Sequence, residues 1–151
     1  MKLSMPAVRI IGLLLFGTCL LLGAVTLVAL EGREVVVLTT TDGQGHRRET
    51  RAWVGDRDGF TWIEAANPQR EFYRHIVMHP DVELRRGGTV RSYHAVPMPQ
   101  PQGHELIRRL LAEKYGWADC WIGLLADTSH SIAIQLEPAA GAPAPRETTD
   151  G

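Results

Sequence analysis

Hydrophobic and polar positions divide this chain into one long apolar run followed by short segments with alternating or helical spacing. From Ile10 to Leu30 no charged residue occurs, and as a helix that length spans a hydrocarbon core of roughly 30 Å. The run is apolar on every face, which argues against a helix of a soluble core. A cleaved signal peptide is the alternative, with an apolar region of about 7–15 residues ending in small residues at the cleavage site. Here the run is longer and closes on Leu27-Val28-Ala29-Leu30-Glu31, which lacks small residues at both required places. The pattern predicts an uncleaved transmembrane anchor over residues 1–32.

Past the anchor the period changes. Residues 34–41 are almost continuously apolar at first, which predicts a strand buried on both faces. A polar turn over residues 42–45 leads to a strand at about 48–54. It alternates, with Thr50, Ala52 and Val54 on one side and Arg51 and Trp53 on the other. Residues 55–59, rich in Gly and Asp, predict a hairpin turn before a third strand at 60–66. Asn67 and Pro68 then read as the N-cap and first position of a helix. That helix runs to about His79 with Phe72, Tyr73, Ile76 and Val77 as its apolar stripe, and Pro80 ends it. Gly87-Gly88 suits a type I′ turn between strands at 82–86 and 89–96. A proline-rich connector leads to a helix at about 103–115, amphipathic through Leu106, Ile107, Leu110 and Leu111 and closed by Gly116. A shorter helix at 118–125 and a last strand at 131–137 complete the series. Six strands, mostly joined by hairpins, predict an α+β domain over residues 33–137, a small barrel or open sheet with helical caps. The tail, 138–151, is small and proline-rich and is expected to be disordered.

Composition narrows the function classes. The formal net charge is −1, so no strong basic field points to nucleic acid. Cys19 lies inside the apolar run and Cys120 in the domain, which leaves no disulfide framework and no Cys/His metal spacing. His75 and His79 stand at i, i+4, but without a third ligand they read as surface histidines rather than a metal site. Lys2 and Arg9 precede the apolar run, whereas Glu31, Arg33 and Glu34 follow it. The positive-inside rule then points the domain out of the cytoplasm, an asymmetry blunted by Arg47, Arg48 and Arg51.

The stretch EVVVLTTTDGQGHRRETRAWV, residues 34–54, carries the candidate chemistry. A strand ending in hydroxyls, a glycine-containing turn and a basic return strand together can hold an anion. Backbone N–H groups in such a turn approach it without a Cβ in the way, and arginine forks match phosphate oxygens. An ordinary solvated hairpin is the competing reading.

The order of elements, with VVLTTTDG, ETRAWV, NPxxxFY and MHPDVEL, resembles the deazaflavin-dependent nitroreductase/quinone reductase family. That family belongs to the split β-barrels similar to pyridoxamine-phosphate oxidase, and the resemblance covers about Val35 to Glu137. It implies a mostly antiparallel split β-barrel with helical caps behind one transmembrane helix. Its cofactor would be an 8-hydroxy-5-deazaflavin coenzyme or FMN. In that family an Arg-Lys pair in the first turn grips the phosphate, whereas this chain has Gln44-Gly45-His46 there. The glycine-rich, lysine-containing loop after strand three is shortened here to Ala65-Ala66-Asn67-Pro68.

Carried over residue by residue, the resemblance sets Arg47 and Arg48, with the backbone of Thr40, Thr41 and Gly43, against the phosphate. Trp53, Ala65, Ala66 and Asn67 would lie along the ring system, and Arg70 would add charge at the helix start. Tyr73 would face the substrate as the catalytic hydrogen-bond donor. For Tyr73 and Trp53 the alternative is plain packing in the core. The resemblance thus implies a reductase at the bilayer transferring hydride to a quinone or nitro compound, in a class of barrels that often form homodimers. The alternative is a non-catalytic barrel serving binding or dimerisation at the membrane surface.

Overall fold

The structure, a computed structural model, describes residues 5–30, 33–98, 100–139 and 146–147. It divides into two units, residues 1–33 and 34–151. The first is one helix, α1 (Met5–Leu30), of which the 21 residues Arg9–Ala29 are long and apolar enough to cross a membrane. Its hydroxyls are turned back on the helix: Thr18 Oγ1 donates to Leu14 O at 2.9 Å and Thr26 Oγ1 to Leu22 O at 2.8 Å. Such back-bonding satisfies each hydroxyl within the helix itself.

The second unit is built from β1 (Val35–Thr41), β2 (Arg47–Arg57), β3 (Phe60–Ala65), α2 (Glu71–Met78), β4 (Asp81–Arg86) and β5 (Thr89–Pro97). There follow α3 (Gln102–Tyr115), α4 (Trp117–Leu125), β6 (Ile132–Pro138) and the short β7 (Arg146–Glu147). Six strands close a ring in the order β4-β1-β2-β3-β6-β5, with β5 pairing back onto β4 and every pair antiparallel. The α+β barrel expected from the sequence is therefore present and closed. β7 adds to β5 opposite Thr89 and Val90; positions 140–145 and 148–151 of the expected disordered tail lie outside the described residues.

Three local expectations are corrected. β1 is not buried on both faces: Val36, Leu38 and Thr40 point into the barrel, while Val35 is exposed and Val37 and Thr39 are half-buried. A closed antiparallel barrel has one interior, and the outer face of β1 is left to solvent. β2 does not stop at Val54 but continues to Arg57, and the turn is Asp58-Gly59, with φ of 53° and 80°. That is the tight type I′ geometry. Gly55 stays in the strand, paired with Trp62, and α3 packs onto it so closely that an added Cβ would lie 3.2 Å from Leu110 Cβ. α2 begins at Glu71, not at Pro68; Asn67 Oδ1 instead accepts the Gln69 N–H at 3.0 Å in a turn before the helix.

Two apolar cores result. The barrel interior holds Val36, Leu38, Val54, Ile63, Val82, Leu84, Ile134 and Leu136, and α2 inserts Phe72 and Ile76 into it. Val77, expected on the same stripe, faces solvent, and buried His75 takes its place. A second core lies outside the barrel wall, where α3 covers Trp62 and Ala133 with Ile107, Leu110, Leu111 and Tyr115.

Candidate functional site

Strand directions put the β1–β2 turn, the end of β3 and α2 at one end of the barrel, and Glu34 with the β4–β5 turn at the other. Most of the residues assigned to a cofactor from sequence gather at the first end.

There the hairpin is ordered by its own carboxylate. Asp42 Oδ1 accepts the N–H groups of Gln44 and His46, both at 2.9 Å, while Oδ2 accepts from His46 Nδ1 at 3.3 Å and Arg48 Nε at 3.2 Å. The His46 N–H first, then the Gln44 N–H and Arg48, hold the Asp42 carboxyl down at about 2, so it is ionised throughout the neutral range. Arg47 forks onto Glu83 of β4, and that pairing raises its pKa. Both arginines assigned to a phosphate thus face carboxylates already. Thr40 is buried, with Oγ1 3.0 Å from His75 Nδ1, which ties β1 to α2 and spends the hydroxyl internally. His75, expected on the surface, is buried for this reason. Thr41 is half-buried at the strand end, and Gly43 lies against the Met78 side chain.

The segment assigned to the ring system borders an actual concavity. Ala65 is sealed in the barrel wall and Ala66 is half-buried. Asn67, Pro68 and Gln69 line a cleft of about 270 Å³ together with Asp127 and His130. Arg70 is exposed at the start of α2, and Tyr73 packs half-buried against the barrel core. Asp127 and His130 had no part in the sequence reading. They arrive on the α4–β6 loop, which only the β3–β6 pairing brings beside Asn67.

Trp53 stands apart from this cluster. It sits opposite Val35, at the far end of β1 from the hairpin turn, and stacks on Tyr115 of α3 with ring centroids 4.6 Å apart. The Tyr115 hydroxyl lies 2.8 Å from Glu34 O and 3.0 Å from Val54 O, and burial raises its pKa. A larger groove of about 370 Å³ runs beside α3, walled by Trp62, Met98, Leu106 and Arg109 among others. The Trp62 indole N–H beside it has no acceptor among the described residues.

These residues do not fit a flavin-type group at its phosphate end, and the cleft beside the expected ring segment is lined mostly by the polar side chains of Asn67, Gln69, Asp127 and His130. A cleft of about 270 Å³ lies just under the range of about 300–1,000 Å³ for small-molecule sites, too small to enclose a whole cofactor. At the hairpin, a phosphate would meet the fixed negative charge of Asp42 and would have to displace Glu83 and Asp42 from Arg47 and Arg48. Among the described residues no group of three His, Cys, Asp or Glu side chains is placed to hold a metal.

No family model and no curated protein matches the sequence. Solved structures do share its fold. A putative pyridoxamine 5′-phosphate oxidase from Listeria innocua aligns with a TM-score of 0.56 at 15% identity, over 86% of this chain and 99% of its own. A FAD-binding protein from Mesorhizobium loti aligns at 0.55 and 14%, over 74% and 86%. An F420 reductase aligns at 0.50 and 16%, over 74% and 91%. At these identities the likeness establishes the split-barrel fold alone, shared with a FAD-binding protein and an F420 reductase.

Proposed function

We propose that this protein is a membrane-held oxidoreductase of the split-barrel class, using a flavin or deazaflavin to pass hydride to a quinone or nitro compound. The cleft at Asn67–Gln69 carries this reading, because the segment assigned to the ring borders it. The cofactor supplies the hydride chemistry, and this chain's part is to bind and orient it and exclude water. Arg70 at the exposed start of α2 is the cation left to meet an acidic tail, and a second copy of the chain would close the open side of the cleft. The apolar segment Arg9–Ala29 would hold the domain where a lipid-soluble acceptor is concentrated.

One observation favours a second reading, a non-catalytic barrel at the membrane surface: Arg47 and Arg48 are neutralised by Glu83 and Asp42. Retention of cofactor decides between the two. The full chain in nanodiscs, incubated with FMN or with deazaflavin and desalted, is expected to keep one of them and, once reduced, to reduce a short-chain quinone. Gln69→Trp, which fills the cleft mouth, is expected to weaken retention by about tenfold, the equivalent of about 1.4 kcal/mol. Retention of neither cofactor by the wild-type chain sinks the oxidoreductase reading and leaves the binding module.

A further inference from the structure

α4 presents an uncharged apolar face to its surroundings. Trp117 is 51% exposed, Leu124 80% and Leu125 63%, and exposed Cys120 and half-buried Trp121 lie among them. The spacing 117, 121, 124, 125 puts these side chains on one side of a 3.6-residue helix. Asp119 lies on the opposite side and is buried, and Ala118, buried as well, borders the stripe beside Leu125. Asp119 is the only charged residue of α4, and it is turned inward, bonded at 2.5 Å to Arg108 of α3. Every outward position of the helix is therefore free of charge, which is unusual for a face left to water.

The place of α4 says what covers that face. Its first residue follows Tyr115 and Gly116. The Tyr115 hydroxyl lies 2.8 Å from Glu34 O, and Lys114 Nζ lies 2.5 Å from Glu34 Oε2. Glu34 is where the barrel begins, five residues after Ala29, the end of the candidate span. Five residues of chain reach at most about 18 Å. Trp117 thus starts a helix at the barrel end where the chain arrives from the candidate span.

We infer that α4 is an interfacial helix: Trp117, Trp121, Leu124 and Leu125 lie in the boundary between headgroups and acyl chains of the bilayer and dock the barrel on its α4 side. Tryptophan with leucine, on a face without charge, is the composition of helices that lie in that layer. The inference rests on the span reading of α1, not on the redox reading.

The two cysteines allow the two membrane contacts to be tested separately, because one lies in α1 and the other in α4. The full chain is reconstituted in vesicles containing brominated phosphatidylcholine, with bimane attached to Cys120 in a Cys19→Ser background, or to Cys19 in a Cys120→Ser background. Docking predicts blue-shifted, bromine-quenched emission at Cys120. Leu124→Asp with Leu125→Asp is expected to abolish both while Cys19 stays quenched and the far-ultraviolet spectrum is unchanged. Quenching at Cys19 with none at Cys120 overturns the docking and keeps the span. Quenching at neither overturns both. Crosslinking of Cys120 between copies without bromine quenching assigns the face to a second copy and overturns the bilayer contact.

Discussion

The barrel's two ends are closed by different physics. At the end bearing the candidate cleft, α2 drives Phe72 and Ile76 into the interior, and a single buried polar pair, Thr40 and His75, fixes the helix over β1. At the other, a charge cluster bridges elements far apart in sequence. Arg86 holds Glu34 at 2.9 Å and Asp56 at 2.7 Å, and Lys114 adds a second bond to Glu34. The first closure excludes water and loses a great deal when cut. The second is partly solvated, with side chains 28–46% exposed, so each pair contributes little alone while the set fixes where the chain enters the barrel.

The comparison can be broken most forcefully at the apolar end. Phe72→Ala removes a buried ring from the barrel mouth and is expected to cost about 3–5 kcal/mol in denaturant unfolding. Next is the polar pair. Thr40→Val leaves the His75 ring nitrogen buried without its partner, an expected loss of about 1–3 kcal/mol. Adding His75→Leu should restore much of it, since two apolar groups leave nothing unsatisfied. A double-mutant cycle measures that coupling.

At the charged end, Arg86→Met is expected to cost only about 1 kcal/mol or less, and less still in high salt. Its signature is in the pH dependence. Hydrogen bonds from Arg86 hold the Glu34 and Asp56 carboxyls below their ordinary 4.5 and 3.8. The stability they contribute is complete above those ordinary values and is lost as pH falls through the lowered folded ones. The variant should therefore show a flatter acid limb in a plot of stability against pH. The smallest effect is expected on the outer wall. Arg47→Ala cuts an exposed pair with Glu83 and should change stability by about 0–1 kcal/mol, which thermal melts can bound.

Much of this architecture was legible in the chain because it is local. The apolar run, the Gly87-Gly88 turn and the stripe of the 103–115 helix need only their own residues, and the observed α3 and β4–β5 hairpin follow them closely. Where a segment's neighbours decide, the reading shifted. The run Val35-Val36-Val37-Leu38 suggested two buried faces, but barrel closure gave β1 one interior and one wet side. Asn67-Pro68 has the composition of a helix start, yet the chain spends those residues on a turn and a cleft wall.

The candidate site divides in the same way. Residues 40–48 and 65–70 could be nominated from types and spacing, since a hydroxyl-rich strand end, a glycine turn and arginines are chemistry written in sequence. That Arg47 meets Glu83, Thr40 meets His75 and Trp53 stacks on Tyr115 rests on separations of 36, 35 and 62 residues. No local pattern encodes such partners. By itself the sequence determined the apolar helix, the succession of strands and turns, and the α+β class, because propensity and periodicity act over a few residues. Tertiary structure alone decided which arginines are neutralised, where the cleft opens and which face of α4 is left bare. Those outcomes depend on which strands close the ring, a choice made by burial summed over the whole domain.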